Sequence, residues 1–285
     1  MSSTLAILGL IVILYYAYSQ GMFGKGTTPP PPGTTPPPSG GGTGGPGFAA
    51  VGDVDTNTET AANLAASGKS SVIGLGDYAY SGTGEEWWAD QSAAHGMTWY
   101  GAQGNHDGDE YQGIFTGNNG VYEFTVTLGS IGFICVNTES VDQTFIQNAV
   151  EQFQADPAVK MIVPFMHIPI RTPEGEHHGA ENTGLHAIFT ANPKVKMVLN
   201  GHNHNMCVME VDGIKYVQCG SGGRDLYPSG QSELVEFQND STHGIVVGSE
   251  TATGVAMEFI ENGGGSLYSF EVPFDATAAA YARSF

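Results

Sequence analysis

The sequence predicts an α/β fold, and two observations carry that prediction. Short apolar runs alternate with helical stretches over the first half of the chain, and β-like segments follow more densely in the second half. Each apolar run is brief, continuous and bounded by turn residues, which is typical of strands that are buried on both faces of a sheet.

The elements of the first half can be placed individually. Strands are predicted at residues 48–51, 71–75, 97–103, 161–166 and 195–199. Helices are predicted at residues 58–67 and 143–156, and Pro157 stops the second helix. Trp87 and Trp88 lie in a further helix-like stretch, where packing is the favoured role for both rings.

The second half ends in two predicted hairpins. One pairs residues 206–211 with 214–219 across an Asp212-Gly213 turn, and the other pairs 251–260 with 266–272. In the first hairpin Cys207 faces Gln218, whereas Cys219 points to the opposite face, so we expect no disulfide between the two cysteines. With Cys135 the count is odd, and we interpret all three cysteines as small buried residues.

A polar block follows each of the first five strands. The blocks are Gly52-Asp53-Val54-Asp55, Gly76-Asp77-Tyr78-Ala79-Tyr80, Gly104-Asn105-His106-Asp107, Phe165-Met166-His167 and Gly201-His202-Asn203-His204. A residue that directly follows such a strand lies at the carboxyl edge of the sheet, where open α/β sheets bind their ligands. The glycines at 52, 76, 104 and 201 are expected to allow sharp turns there.

The residue types in these blocks indicate metal chemistry. Carboxylates, an amide oxygen and imidazoles suit hard or borderline divalent and trivalent metals. Two metals about 3.5–4 Å apart can clamp a phosphoryl group and activate water at neutral pH. His106, next to Asn105, is placed to protonate a leaving alcohol, because an imidazole titrates near neutrality.

The order of the blocks resembles the calcineurin-like metallophosphoesterases, and most closely their purple acid phosphatase branch. Gly76-Asp77-Tyr78-Ala79-Tyr80 is similar to the Gly-Asp-x-x-Tyr of that branch, where the tyrosine phenolate binds ferric iron. Most of the wider family has a histidine two residues after the first aspartate, where this chain has Asp55. The Gly-rich stretch at 216–224 also resembles the family, and the likeness runs from about Phe48 to about Val272.

The resemblance implies a fold and a ligand set. The fold is a four-layer α/β/β/α sandwich, in which two mixed β-sheets are flanked by helices. The first metal would be ferric iron, and the second Fe, Zn or Mn. Ligands of the first would be Asp53, Asp77, Tyr80 and His204, and ligands of the second Asp77, Asn105, His167 and His202. Asp77 would bridge the two metals, and His106 and Asp77 are the expected catalytic residues.

Some of these residues have a plainer interpretation. Tyr80 could be an ordinary half-buried aromatic residue, although the other four blocks favour ligation. Asp55 either orients a ligand or is a polar turn residue, and the sequence leaves both open. A loop after the fourth block either lines the substrate pocket or forms a solvated surface; its candidate residues are Arg171, His177 and His178.

The chain before residue 48 is predicted to tether the enzyme. Residues 1–25 form a hydrophobic anchor or a signal segment, because Leu5 to Tyr18 is apolar or aromatic apart from Gly9. Extended to Phe23, this run approaches the roughly 20 residues that span a bilayer. A cleavable signal peptide is the alternative, although no Lys or Arg precedes the apolar run.

The remaining chain divides at a change in composition. Residues 26–47 contain only Gly, Pro, Thr and Ser, which predicts a disordered spacer. Residues 48–285 are long enough for one large catalytic domain. We therefore expect a membrane-anchored protein whose domain is extracytoplasmic or exposed on a cell or virion surface, or a secreted protein if the signal is cleaved.

The charge of the chain restricts its partners. It has 9 Lys and Arg against 29 Asp and Glu, for a formal net charge of −20. This balance disfavours nucleic acid and anionic lipid as bulk partners. The expected function is hydrolysis of phosphate esters, with monoesters as the favoured class, on a small molecule or a phosphoprotein. A phosphodiesterase or nucleotidase on the same site is the enzymatic alternative, and a structural component of a surface, filament or virion assembly is the other.

Overall fold

The computed structural model describes residues 46–80, 83–108, 111–178 and 184–275. The predicted anchor or signal segment at 1–25 lies outside these residues, as does nearly all of the predicted spacer. Across the described ranges, no helix has the length and apolar character that a membrane span requires.

Thirteen strands are present in the described residues. They are β1 (Gly47–Val51), β2 (Ser71–Gly74), β3 (Thr98–Gly101), β4 (Thr125–Leu128), β5 (Ile131–Cys135), β6 (Met161–Met166), β7 (Met197–Asn200), β8 (Met206–Val211), β9 (Ile214–Cys219), β10 (Val235–Asn239), β11 (Gly244–Glu250), β12 (Gly254–Glu261) and β13 (Ser266–Pro273). The α-helices of the same residues are α1 (Thr58–Ala66), α2 (Gly84–Ala94), α3 (Tyr111–Ile114), α4 (Gln143–Ala155) and α5 (Gly184–Thr190).

The strands form two mixed sheets. The first has six strands in the order β13-β12-β11-β1-β2-β3, and the second has seven in the order β10-β8-β9-β7-β6-β5-β4. In the first sheet β1, β2 and β3 are parallel, and in the second β5, β6, β7 and β9 are parallel. The parallel strands of each sheet therefore end at a common edge.

The main core lies between the two sheets. Phe48 of β1 and Phe133 of β5 are both fully buried and meet edge to face, with their ring centroids 5.0 Å apart. Phe237 of β10 and Phe259 of β12 also join the sheets, with their rings tilted by 38° at a centroid distance of 5.1 Å. Burying these rings against each other removes a large apolar area from water, which holds the sheets face to face.

Helices cover the outer face of each sheet. On the first sheet α1 lies against β11 and α2 against β3, and on the second sheet α4 lies against β5 and β6. A separate apolar cluster fills the outer side of the second sheet, where Ile146 and Val150 of α4 are fully buried. The predicted four-layer sandwich of two mixed sheets flanked by helices is confirmed.

Local sequence explains where the main helices begin. The side chain of Asp142 caps α4 by accepting hydrogen bonds from the backbone N–H groups of Thr144 and Phe145. The side chain of Asn57 caps α1 by accepting from the backbone N–H of Thr60. Such caps satisfy N–H groups that have no partner inside the helix. Both helices end within one residue of the predicted position.

The predicted hairpins are confirmed. The strands β8 and β9 have the predicted bounds, and Cys207 pairs with Gln218 while Cys219 pairs with Met206. All three cysteines are buried and free. The closing hairpin of β12 and β13 is present, although its first strand begins at Gly254 and not at residue 251. Trp88 is fully buried in α2, in the packing role that the sequence favoured.

We predict that the core between the sheets sets the stability of the fold. Replacing Phe133 by alanine should lower the free energy of unfolding by about 3–5 kcal/mol, because the ring is fully buried and its removal leaves a cavity. Urea denaturation measures the change. Val121→Ala is the control, since Val121 is 44% exposed and should change stability by less than about 0.5 kcal/mol. Equal effects of the two substitutions would contradict the prediction.

Candidate metal centre

The polar blocks converge where the two sheets meet. Backbone hydrogen bonds connect the loops that follow the strands: Asp53 N–H donates to the carbonyl of Gly76 at 3.0 Å, and Gly201 N–H donates to the carbonyl of His167 at 3.1 Å. Between the sheets, Gly52 N–H donates to the carbonyl of Cys219 at 2.9 Å. The carboxyl ends of strands from both sheets are thereby fixed to one another.

In most of the turns after these strands, the left-handed backbone conformation is adopted by a residue other than the expected glycine. Of the glycines at 52, 76, 104 and 201, only Gly76 has a positive φ. The left-handed conformation falls instead on the following residue in three blocks, at Asp53 (φ 56°), Asp77 (φ 57°) and His202 (φ 74°). The glycines at 104 and 201 serve close approach. A Cβ on Gly104 would lie 2.1 Å from Oδ1 of Asp77.

One group of side chains surrounds Asp53. The Tyr80 hydroxyl donates to Oδ1 of Asp53 at 3.0 Å and lies 3.0 Å from Nε2 of His204. The same His204 nitrogen is 3.4 Å from Oδ1 of Asp53. Asp53 is fully buried, and its Oδ2 accepts the backbone N–H of His202 at 2.8 Å.

A second group surrounds Asp77 and His167. Nε2 of His167 lies 3.4 Å from Oδ2 of Asp77 and 3.1 Å from Oδ1 of Asn105. It also lies 3.1 Å from Nδ1 of His202. Asp77 and His167 are 1% and 0% exposed, so the contact between these two side chains is shielded from water, whereas Asn105 is exposed.

Asp77 lies between the two groups. Potential ligand atoms of Asp53, Asp77 and His167 all lie within 4.8 Å of one another. Oδ1 of Asp77 also accepts the backbone N–H of His106 at 2.9 Å, which positions the His106 ring 4.6 Å from the ring of Tyr80. The geometry thus divides the seven sequence-predicted ligands into two groups that share Asp77.

The second nitrogen of two imidazoles is fixed by a backbone carbonyl. Nδ1 of His167 donates to the carbonyl of Leu75 at 2.7 Å, and Nδ1 of His204 donates to the carbonyl of Asp225 at 2.7 Å. In the neutral tautomer that these bonds select, Nε2 is left as an electron-pair donor toward the centre. His202 differs, because it directs Nδ1 toward the centre.

Burial and neighbouring charges shift the pKa values of the side chains in this centre. Burial raises the pKa of Asp77, but the positive charge of His167 and the surrounding hydrogen bonds outweigh burial and bring that pKa below its ordinary value. For His167, burial opposes the proton, yet the charge of Asp77 raises the pKa to about 10. For His202, burial and then the charge of His167 lower the pKa to about 3. Burial, followed by the charges of Asp53 and Asp77, raises the pKa of the Tyr80 phenol.

Asp107 holds two of the loops together. Its carboxylate accepts backbone N–H groups of Asp77 at 2.8 Å, Tyr78 at 2.6 Å and Gly104 at 2.7 Å. Asp107 therefore fixes the turns that carry Asp77 and Asn105 through the backbone. The N–H donors favour the ionised carboxylate, but burial and the charge of Asp77 outweigh them and raise the pKa of Asp107 to about 7.

A cavity of about 190 Å³ opens onto both groups. Its lining contains Asp77, Tyr80, Asn105, His106, His178, His202, His204, Arg224 and Tyr227. Arg224 ends the Gly-rich stretch at 216–224 that resembles the family, but the sequence predicts no role in the site for Arg224 or for Tyr227. Of the candidate pocket residues, His178 lines this cavity and His177 packs against Tyr227 at a centroid distance of 3.9 Å. Arg171 lies elsewhere, with its guanidinium bonded to the carbonyl of Ile170.

Asp55, whose role the sequence left open, contacts Arg224. Its Oδ2 is 3.3 Å from Nη1 of that guanidinium, which also lies over the ring of Tyr80 at 4.2 Å from the centroid. Within the part of the chain that the structure describes, the Asp55 carboxylate is linked to the candidate centre through this arginine.

A larger, acidic cleft of about 780 Å³ adjoins the candidate centre. The two cavities share Asn105, and the cleft is also lined by Asp107, Glu123, Glu139 and Asp142. Burial raises the pKa of Glu123 to about 7.

The donors present fit a pair of metal ions. Two buried aspartates, three imidazoles, an amide oxygen and a phenol face one another at hydrogen-bond distances. Two imidazole nitrogens 3.1 Å apart, with their opposite nitrogens directed elsewhere, form an arrangement that a shared cation or proton must stabilise. Oxygen and nitrogen donors of this kind suit hard and borderline metals.

Comparison with known proteins gives one family and one fold. A family model described as calcineurin-like phosphoesterase matches residues 48–206, which is more than half of the chain. A search of curated proteins gives no significant match.

Two solved structures share the fold at low sequence identity. GAP50, the anchor in the inner membrane complex of Plasmodium, is 16% identical with a TM-score of 0.60, and the alignment covers 83% of this chain and 93% of GAP50. A dimetal phosphatase from Danio rerio is 9% identical with a TM-score of 0.56, over 80% of this chain and 98% of that protein. At these identities the likeness concerns the fold alone.

We predict that metal binding at this centre displaces protons. Because the pKa of His167 is about 10 without metal, the loss of its proton alone should make the affinity for Zn²⁺ rise about tenfold per pH unit between pH 6 and 9. If the Tyr80 phenol also binds as a phenolate, the slope doubles, and Tyr80→Phe should remove that second proton. Competition with a chelator of known affinity measures the slope. A Zn²⁺ affinity that does not change with pH would contradict the prediction.

Proposed function

The chain belongs to the calcineurin-like phosphoesterase family, and on that premise we propose that it is a dinuclear-metal hydrolase that cleaves phosphate esters, with phosphomonoesters as the preferred class. The family uses a dinuclear metal centre and implies phosphate-ester substrates.

One observation carries the proposal. Two separate groups of donors, one around Asp53 and one around His167, meet at the buried carboxylate of Asp77. A protein that used this fold only as a building block would have no need to bury two aspartates and aim three imidazoles at them, because an unpaired buried charge is destabilising. Such a cost is expected where the arrangement serves a metal.

The proposed ligands follow the two groups. The first ion would be held by Asp53, Asp77, Tyr80 and His204, and the second by Asp77, Asn105, His167 and His202. When bound, a pair of such ions supplies charge neutralisation for the phosphoryl group and lowers the pKa of water.

The residues around the ions have roles of their own. His106 is exposed at the mouth of the cavity, where its ring can give a proton to the oxygen of the departing alcohol. The hydrogen bond from its backbone N–H to Asp77 holds the main chain of His106 next to the candidate centre. His178 packs on His202 with a centroid distance of 4.2 Å and limits the orientation of that ring.

Tyr80 supports a purple-type centre. Its hydroxyl lies within hydrogen-bond distance of both Asp53 and His204, and this proximity supports a role for Tyr80 as a ligand to the first ion. A phenolate is a hard anionic donor and suits ferric iron. We therefore propose Fe(III) at the first position, with Fe, Zn or Mn at the second.

Two alternative functions, one enzymatic and one structural, would use the same fold. A phosphodiesterase or nucleotidase would use the same centre, and only its leaving group would differ. A structural role in a surface, filament or virion assembly would resemble that of GAP50, which is an anchor and shares the fold. The converging donors favour catalysis over a purely structural role.

Attachment to a membrane through residues 1–25 is also a proposal. It is supported by the apolar run in the sequence, which lies outside the described residues. With the spacer at 26–47, it would present the domain away from a cell or virion surface.

We predict that the full chain binds two metals and hydrolyses p-nitrophenyl phosphate. Metal analysis, the visible spectrum and turnover are measured on the same sample after reconstitution with iron and zinc. We expect iron in that sample, a broad visible band and turnover, with the band lost in Tyr80→Phe. Two metals without the band would assign Tyr80 to packing, and a folded sample with neither metal nor turnover would overturn the enzyme proposal.

We further predict that substitutions of His106 and Asp77 impair the protein in different ways. In His106→Gln the metals should remain, and kcat for an alkyl phosphate should fall about 10²–10⁴-fold, because a poor leaving group needs a proton. Turnover of p-nitrophenyl phosphate should fall less, since nitrophenolate leaves without one. In Asp77→Asn both metals and turnover should be lost. An equal loss on both substrates in His106→Gln would contradict the role of His106 as the acid.

A further inference from the structure

We propose that Arg224 is the cation that binds and orients the substrate phosphate, and that Asp55 and Tyr80 hold it in place. The inference rests on the proposed function and extends it to a residue outside the five ligand blocks. Arg224 lines the cavity with the candidate ligands and with His106.

Arg224 differs from the other residues that line the cavity because its side chain carries a permanent positive charge. Among the described residues around the cavity it is the one Lys or Arg, in a chain with 9 such residues and 29 Asp and Glu. A phosphate that approaches so acidic a protein needs local positive charge, and a guanidinium can bond two phosphate oxygens at once.

The guanidinium is held from two sides. Nη1 lies 3.3 Å from Oδ2 of Asp55, and the group lies over the ring of Tyr80 at 4.2 Å from the centroid. The side chain is 37% exposed, so it is steadied without being closed off from the cavity. Its Nε is buried and has no hydrogen-bond partner among the described residues, so one donor of this guanidinium is left unsatisfied.

Asp55 is itself fixed by its surroundings. Its carbonyl accepts the indole N–H of Trp88 at 2.6 Å, and its Oδ1 accepts the backbone N–H of Thr56 at 2.9 Å. The buried Trp88 therefore sets the position of Asp55, and Asp55 sets the position of Arg224. A chain of contacts that begins in the core of the fold ends at the cavity.

The backbone of Arg224 is anchored to the centre as well. Its N–H donates to the carbonyl of Asp53 at 3.1 Å. The preceding Gly223 passes so close to the β1 loop that a Cβ there would lie 2.1 Å from the carbonyl oxygen of Val54. This approach brings the residue after the two glycines to the candidate ligands, through contacts with a distant part of the chain that the local sequence does not reveal.

A purely structural role of Arg224 predicts a different effect of its removal. If Arg224 only joined the β1 loop to the loop after β9, its removal would loosen the metal ligands and reduce metal content. If it binds phosphate, the metals should stay and phosphate affinity should fall. The two roles are separated by measuring metal content and phosphate binding on the same protein.

The test uses the metal-loaded full chain with Arg224→Met and Arg224→Lys. Inorganic phosphate is the probe, and its dissociation constant is measured by titration calorimetry beside KM and kcat for p-nitrophenyl phosphate. We expect unchanged metal content and an affinity for phosphate that is about 10- to 100-fold weaker in Arg224→Met, with KM raised in parallel and kcat changed less. Arg224→Lys should retain part of the affinity, because charge remains but the planar fork is lost.

A control variant and a double mutant test whether the effect on phosphate binding is specific to Arg224. Lys215→Met removes a positive charge that pairs with Glu210 and Glu236, outside the lining of the cavity, and should leave phosphate affinity unchanged. Asp55→Asn should weaken phosphate binding less than Arg224→Met. Combined with Arg224→Met it should add little, because Asp55 acts through the arginine.

Each outcome decides the proposal. Unchanged phosphate affinity in Arg224→Met, or loss of metal in both Arg224 variants, would overturn it. A loss of phosphate binding in Arg171→Met but not in Arg224→Met would transfer the role to Arg171 and also overturn it. If the wild-type protein binds phosphate through Arg224 but does not turn over any ester, the proposed function fails and this inference stands. If the wild-type protein binds no phosphate, both fail.

Discussion

The structure depends on burying carboxylates that have no water to solvate them. Asp53 and Asp77 are almost completely excluded from solvent, and an isolated charge in such a place is strongly unfavourable. The molecule offsets the cost with backbone N–H donors and imidazoles drawn from both sheets, such as the N–H of His202 on Asp53 and that of His106 on Asp77. The packing of the two sheets and the burial of these carboxylates therefore depend on each other. The sheets must bring their carboxyl ends together, or these side chains could not be buried.

Around the aspartates, several residues act only on the backbone or on other side chains. Asp107 joins the turns of Asp77 and Asn105 through three N–H groups, and the carbonyls of Leu75 and Asp225 fix the tautomers of His167 and His204. Such contacts limit the rotation of each donor, so that the donors are already oriented before any ion binds. Asp55 belongs to this outer group through its pairing with Arg224.

Most of the centre could be predicted because its residues directly follow strands. Asp53, Asp77, Asn105, His167 and His202 each follow an apolar run in the sequence, and that local pattern is enough to place them at one sheet edge. The same reasoning located α1, α4 and the hairpin of β8 and β9, whose caps and turn are also local. It could not find Arg224 or Tyr227, because the loop after β9 is directed by hydrogen bonds to residues far away in the chain, such as the one from Arg224 to Asp53. Nor could it assign the positive φ angles to the residues after the glycines, since that choice is made by contacts between loops.

The left-handed backbone at Asp53, Asp77 and His202 has a consequence for how this sequence can change. A side chain in that conformation is strained by about 1 kcal/mol or more relative to glycine. At these three positions, therefore, the residue that would best suit the backbone is one that cannot bind a metal. Directed evolution of this protein for heat resistance alone would be drawn toward glycine at the positions that hold the centre, and only a concurrent selection for metal or turnover would keep the site.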